Sequence, residues 1–271
     1  MRQLAGRVAV VTGAASGIGR ALALALAQKR CELALVDINR DGLEKTAELV
    51  RAVGAKVSIH LVDVASREQM EALPEDVIRE HGHIHIVVNN AGVAVMGTVE
   101  EQPLEDFEWI VGINLWGVVY GCKFFLPYLR REEEGHIVNM SSLFGILGFP
   151  ELGSYNATKF AVRGLSEALH GELAATSVGV SVVHPGGVST NIARASRLPP
   201  KEQRSKLQKR FERFGIAPEV VAARIVRAIE QNRFSVRISR ETYLLDWARR
   251  FLPGVTRRLI GWWVRRRGKL T

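Results

Sequence analysis

Two rhythms of apolar residues alternate along this chain. Nearly unbroken, β-branched runs of strand length recur seven times: "RVAVV" (7–11), "CELALVD" (31–37), "KVSIHLVDV" (56–64), "IHIVVNNAG" (84–92), "GHIVNMSS" (135–142), "GVSVVHPGG" (179–187) and "FSVRIS" (234–239). Between them lie helix-forming segments. These are "RALALALAQKR" (20–30), "RDGLEKTAELVRAVG" (40–54), residues 66–81, a long region about 103–133, "SYNATKFAVRGLSEALHGELAAT" (154–176) and "PEVVAARIVRAIEQN" (218–232). Strands separated by helices require right-handed crossovers, and so a parallel sheet. Continuous apolar strands belong to a sheet covered on both faces. The expectation is one doubly wound α/β domain with about seven parallel strands flanked by helices.

No repeat or low-complexity linker divides the chain before about residue 190. The domain is placed at 1–240, with an insertion at 191–214 and a C-terminal extension at 241–271. Charge sets the last two segments apart. The net charge is +9, but residues 191–214 hold eight Lys/Arg against two Asp/Glu, and residues 240–271 hold nine against two. The rest of the chain is therefore acidic. The two cysteines, Cys31 and Cys122, are too few for a disulfide framework and read as buried thiols of a reducing compartment. The N-terminal residues pass straight into strand-like sequence, and no run of 18 or more apolar residues is present. A cytoplasmic chain is expected, without a spanning helix.

The first strand is followed at once by "TGAASGIG", with Gly13, Gly17 and Gly19, and then by a helix. In that setting glycines allow a tight turn and let backbone N–H groups approach a pyrophosphate, whose charge the helix N-terminus stabilises. This makes the domain a Rossmann-type one. Asp37 ends the second strand, 18 residues beyond Gly19. A carboxylate there accepts hydrogen bonds from ribose hydroxyls and repels a 2′-phosphate. NAD is therefore favoured over NADP, although Arg40 could soften the preference. Asp63 is placed to meet the adenine amino group or, alternatively, to cap the helix that starts near Ser66.

Together with later motifs, these residues resemble the short-chain dehydrogenase/reductase family from about residue 5 to residue 190. "TGAASGIG", with Ser16 and Ile18, is similar to the family's cofactor turn. "NNAG", with Asn90, Ala91 and Gly92, is similar to its fourth-strand signature. Asn114 in "INLWG", Ser142 in "NMSS" and the Tyr155–Lys159 pair in "YNATK" resemble its catalytic tetrad, and "HPGGVST" its Pro-Gly segment. The resemblance implies Tyr155 as acid/base, Ser142 polarising the substrate oxygen and Asn114 holding a water in a relay from Lys159. Ser141 is the rival for the serine role. Lys159, beside an oxidised nicotinamide, would also lower the phenol pKa. Val64 joins the cofactor contacts, Pro185, Gly186 and Val188 would lie along the nicotinamide, and Thr190 would bond its carboxamide. No metal is expected.

The substrate side reads as apolar: Val93, Val95, Met96, Leu143, Phe144, Ile146, Leu147 and Phe149, with Phe144 and Phe149 as substrate contacts beside Ser142 and Tyr155. A hydrophobic secondary alcohol or ketone follows, lipid-, steroid- or retinoid-like. An NADP(H)-dependent ketone reductase and a non-catalytic or membrane-recruited scaffold are the alternatives. In the family, segments at the position of 191–214 act as substrate lids, and its members assemble as dimers or tetramers. The extension carries Leu244, Ala248, Phe251, Leu252, Val255, Leu259, Trp262 and Trp263 at three/four spacing among arginines. It is read either as a peripheral membrane helix or as packing on the domain or on another subunit. Nucleic acid is not expected, since no recognised binding motif accompanies the charge.

Overall fold

The computed structural model describes residues 1, 3–189, 197 and 215–267, without the side chain of 267. The strands are β1 (Val8–Thr12), β2 (Glu32–Asp37), β3 (Val57–Leu61), β4 (Ile86–Asn89), β5 (Gly135–Met140), β6 (Val178–His184) and β7 (Ser235–Arg237). They form one sheet in the order β3-β2-β1-β4-β5-β6-β7. Every pairing is parallel. The chain winds outward from β1 to β3, then returns to lay β4 on the other side of β1. That reversal opens a crevice at the carboxyl ends of β1 and β4.

The helices are α1 (Gly17–Gln28), α2 (Arg40–Ala52), α3 (Arg67–His81), α4 (Leu104–Val111), α5 (Gly117–Leu129), α6 (Gly153–Glu172), α7 (Pro218–Glu230), α8 (Arg240–Phe251) and α9 (Pro253–Arg267). Strand alternation divides the core in two. Ala9, Val11, Leu33 and Leu35 face the layer that contains α1, α2 and α7. Val8, Val10, Ala34 and Val36 face the layer of α3, α5 and α6, where Phe125 and Leu129 are fully buried. A strand sandwiched in this way must be apolar on both edges of its pleat, which is the continuous pattern read from the sequence.

The long helix expected over about 103–133 is interrupted. A π-helical turn, Gly112–Trp116, joins α4 to α5, and the helix ends at Leu129. The extra residue in that turn brings Asn114 fully inside. This run, Leu104–Leu129, is long and apolar enough to cross a membrane by length and composition, although charged residues interrupt it. Its apolarity has a simpler use, because Val118, Cys122, Phe125 and Leu129 bury against the sheet.

Gly121 shows how closely α5 approaches β4. A Cβ there would collide with the Asn89 side-chain oxygen, in a buried network where Asn89 donates to Asn139 (2.8 Å) and Asn139 to Ser166 (3.0 Å). Gly121→Ala is expected to destabilise the fold by about 1–3 kcal/mol through overpacking. Gly164, exposed inside α6 with nothing near its missing Cβ, gives the opposite case. Gly164→Ala should stabilise by roughly 0.5–1 kcal/mol. Urea unfolding of the two variants checks both signs.

Candidate active site

The glycine turn sits at the mouth of the crevice. Gly13 and Gly17 take left-handed backbone angles, with φ of 67° and 54°, which a side chain would strain. A Cβ at Gly19 would strike the Gly13 carbonyl. From β4, Asn90 donates through its side chain to the carbonyls of Thr12 (2.8 Å) and Gly13 (3.3 Å), and the Ala91 N–H donates to the Thr12 hydroxyl (3.0 Å). The first turn of α1 contains no acidic residue, and Ser16 makes no side-chain cap. The N–H groups of Gly17, Ile18 and Gly19 thus head the helix without an internal anion, as a bound phosphate requires.

Asp37 stands at the end of β2 and is held by two backbone donors, Ala15 N–H and Asn39 N–H, each at 3.0 Å. Arg20, the cation nearest in sequence to the turn, is engaged beneath it by the Ala15 carbonyl and the Thr46 hydroxyl. The helix cap at α3 is Ser66, which accepts from Gln69 N–H, so Asp63 is not the cap; it turns its carboxylate to Ala65 N–H at 2.9 Å. Val64 is buried against Gly117. The residues present fit a dinucleotide: a glycine cradle, an unopposed helix N-terminus and a fixed carboxylate at the ribose end.

One helical turn on α6 brings Tyr155 and Lys159 together at the inner end of the crevice. The buried Lys159 ammonium lies 5.7 Å from the Tyr155 ring centroid and donates to the Met140 carbonyl at 2.9 Å. That carbonyl is its one hydrogen-bond acceptor among the described residues. Burial pulls the Lys159 pKa down to about 8. Burial also raises the Tyr155 phenol above its ordinary value, and a hydrogen bond with the Ser142 hydroxyl opposes that rise. The depressed phenol expected from the sequence is therefore not produced by the protein alone, because desolvation disfavours the phenolate.

The neighbouring serines differ in what they bind. Ser141 donates to the Lys159 carbonyl at 2.8 Å and so fastens β5 to α6. Ser142 accepts from Phe144 N–H at 3.2 Å while facing the phenol. Asn114 is locked by reciprocal bonds to the Val93 backbone, each 2.9 Å. A Cβ at Gly92 would crowd the Asn114 side-chain oxygen at 3.2 Å and reach ordinary contact with the Lys159 ammonium at 3.5 Å. The Pro185 carbonyl accepts from Leu143 N–H at 2.7 Å, Gly186 packs under Ser239, and Val188 is buried. Thr190 and the segment 191–214 expected as a lid, Arg197 aside, lie outside the described residues.

Of the apolar set read on the substrate side, Val95 and Ile146 are buried. Phe144 meets Tyr155 edge-on at 6.3 Å, and Phe149 meets Phe144 at 6.0 Å. Trp263 of α9 packs against Phe149 at 4.9 Å, extending this aromatic wall into the C-terminal extension. Sequence reasoning left open where Trp263 would lie. It also missed His184, whose Nδ1 pairs with the Ser142 carbonyl at 3.2 Å and whose burial lowers its pKa to about 4. Its place at the end of β6, just before Pro185, was the available signal. At the opposite end of the sheet, His83, His85 and Glu132 cluster, with the Glu132 carboxylate already paired to both rings at 3.1 and 3.3 Å.

Comparison with known proteins agrees with this geometry. The family described as short chain dehydrogenase matches residues 7–201. SadH of Mycobacterium tuberculosis is 42% identical over 264 residues, covering 96% of each chain. The 3-oxoacyl-[acyl-carrier-protein] reductase FabG of Thermotoga maritima is 31% identical over 233 residues, covering 86% of this chain and 94% of its own. A short-chain dehydrogenase/reductase from Burkholderia phymatum, solved in complex with NAD, superposes with a TM-score of 0.88 at 33% identity, covering 94% of this chain and 97% of its own. The seven-stranded parallel sheet, the glycine turn and the Tyr155–Lys159 pair thus stand in a chain that belongs to the short-chain dehydrogenase/reductase family and is an oxidoreductase.

Proposed function

We propose that this protein interconverts a hydrophobic secondary alcohol and its ketone with NAD(H). The observation that carries the reading is the convergence of Ser142, Tyr155 and the buried Lys159 at the inner end of a crevice whose outer end bears Asp37. The dinucleotide, when bound, supplies or takes up the hydride. Asp37 accepts from the adenosine ribose hydroxyls. The α1 N-terminus neutralises the pyrophosphate. Lys159, with N–H groups to spare beyond Met140, bonds the nicotinamide ribose. Ser142 orients the substrate oxygen, and Tyr155 exchanges a proton with it. Phe144 and Phe149 supply an apolar wall beside Tyr155, which suits an uncharged, lipophilic substrate. NAD in the complex of the Burkholderia phymatum relative supports the cofactor, and the ketone substrate named for FabG supports the reaction class. A second copy would meet the face where exposed Trp116 stacks on Tyr120 and Tyr120 on Phe124.

Tyr155→Phe removes the exchangeable proton with little change in shape. Its kcat/KM on the best alcohol found in a screen with NAD is expected to fall by about 10²–10⁴-fold, with NAD binding by calorimetry retained. Undiminished turnover would refute the assignment. Asp37→Ala should erode the NAD over NADP preference by about tenfold or more, the value of a hydrogen bond to a charged group; unchanged relative specificity constants would take that role from Asp37. Oxidation consumes the phenolate and reduction the phenol. Because burial holds the phenol above its ordinary pKa, oxidation should quicken as pH rises into the alkaline range while reduction slows. Parallel profiles in the two directions would remove Tyr155 from proton transfer.

A further inference from the structure

The helix α8 is amphipathic in the reverse sense. Its inward face is polar: Thr242 and Asp246 are buried, and Asp246 is held by Arg237 at 2.5 Å and by Arg250 at 3.3 Å. One turn on, Arg249 reaches the Ile146 carbonyl and lies over the Phe160 ring at 4.8 Å. At helical spacing the opposite side carries Leu244, Trp247 and Phe251, which are 66%, 54% and 66% exposed. The next helix repeats the theme, with Val255, Leu259 and Trp262 spaced four and three apart and all exposed. An isolated exposed leucine means nothing, but two successive helices that turn such stripes outward need a cover.

Charge identifies the cover. The segment 240–271 holds nine Lys/Arg and two Asp/Glu, and one of those acids, Asp246, is consumed by its buried ion pairs. Arg257, Arg258, Arg265 and Arg266 are exposed beside the apolar stripe, and Arg266 sits 4.4 Å over the Trp262 ring. A cleft of about 230 Å³ adjoins α8, lined chiefly by Arg224, Arg227, Arg233, Arg237, Ser235 and Tyr243 and, among the described residues, by no carboxylate. A second copy packed face to face would set this charge against itself. An anionic lipid surface is complementary to it. Tryptophan and phenylalanine enter the interface, and arginines keep their stems in apolar contact and their heads at the phosphates.

We propose that α8 and α9 dock this protein on the anionic surface of a lipid bilayer, with Trp247, Phe251, Leu259 and Trp262 inserted and the surrounding arginines on lipid phosphates. The same α9 turns Trp263 inward onto Phe149, so the docking surface lies next to the apolar wall of the redox site. The inference stands on this surface alone and does not require the proposed substrate.

Co-sedimentation of the full chain with vesicles of phosphatidylcholine, and of phosphatidylcholine mixed with phosphatidylglycerol, tests it. Wild-type protein is expected on the mixed vesicles and not on the neutral ones, with recovery falling as salt rises. Two double variants, Trp247→Ser with Phe251→Ser and Arg257→Glu with Arg258→Glu, should each weaken that binding by at least about tenfold. Their unfolding temperature, and their turnover of a water-soluble alcohol found in the screen, should remain unchanged. Equal recovery on both vesicle types would overturn the proposal. So would undiminished binding by both variants, or a wild-type dimer in sedimentation equilibrium that the variants lose while no protein joins the vesicles. Failure of the redox assignment would leave the vesicle result untouched, so the two are separable.

Discussion

A parallel sheet covered on both faces has one open place for chemistry, the carboxyl ends of its strands where the winding reverses. The candidate redox site follows from that constraint. Gly13 and Asn90 close the ends of β1 and β4 on each other, Asp37 closes β2, and Ser142 lies just past β5. The fold delivers these groups to one crevice although up to 129 residues of chain, from Gly13 to Ser142, separate them. What the crevice contains must then be reconciled with burial, since the same covering that makes the sheet stable removes water from the reacting groups.

That reconciliation is visible in the pair on α6. Desolvation pushes Lys159 toward its neutral amine and Tyr155 toward its neutral phenol. Both shifts oppose the charged forms, and among the described residues Met140 and Ser142 offset them in part. The two shifts differ in consequence: Lys159, lowered to about 8, sits closer to its transition point than it would in water, whereas the raised Tyr155 phenol sits farther from its own. Ser141 and Asn114 serve the geometry by fixing α6 to β5 and the π-helical turn to Val93.

How far the sequence could be read follows from the range of the interactions involved. The strands, the glycine turn and the Tyr155–Lys159 spacing are local patterns, and each was legible because neighbours along the chain create it. Asn114 was legible as a residue but not as a member of a π-helical turn, since helical periodicity does not register one inserted residue. The roles of Ser141 and Ser142 separate only when α6 packs against β5 and takes one of the two hydroxyls. Trp263 could not be placed beside Phe149 from periodicity, because the bend between α8 and α9 at Leu252 and Pro253 resets the phase of the second helix. His184 escaped notice for the same reason: its partner is 42 residues distant.

The reversed polarity of α8 ties these threads together. A helix that only completed the core would put Leu244, Trp247 and Phe251 inward and leave Asp246 in water. Here the ion pairs of Asp246 with Arg237 and Arg250 anchor the helix to β7 and to itself. Breaking such a pair is costly, because it strands a buried charge. The anchor therefore fixes which side of α8 faces out, and it does so against the hydrophobic effect acting on that side. An arrangement that forgoes burial of three large apolar side chains is stable in isolation only if its polar anchor outweighs the loss, and it becomes favourable when the outward face meets something apolar. Arginines on the adjoining turns restrict that something to a surface of opposite sign.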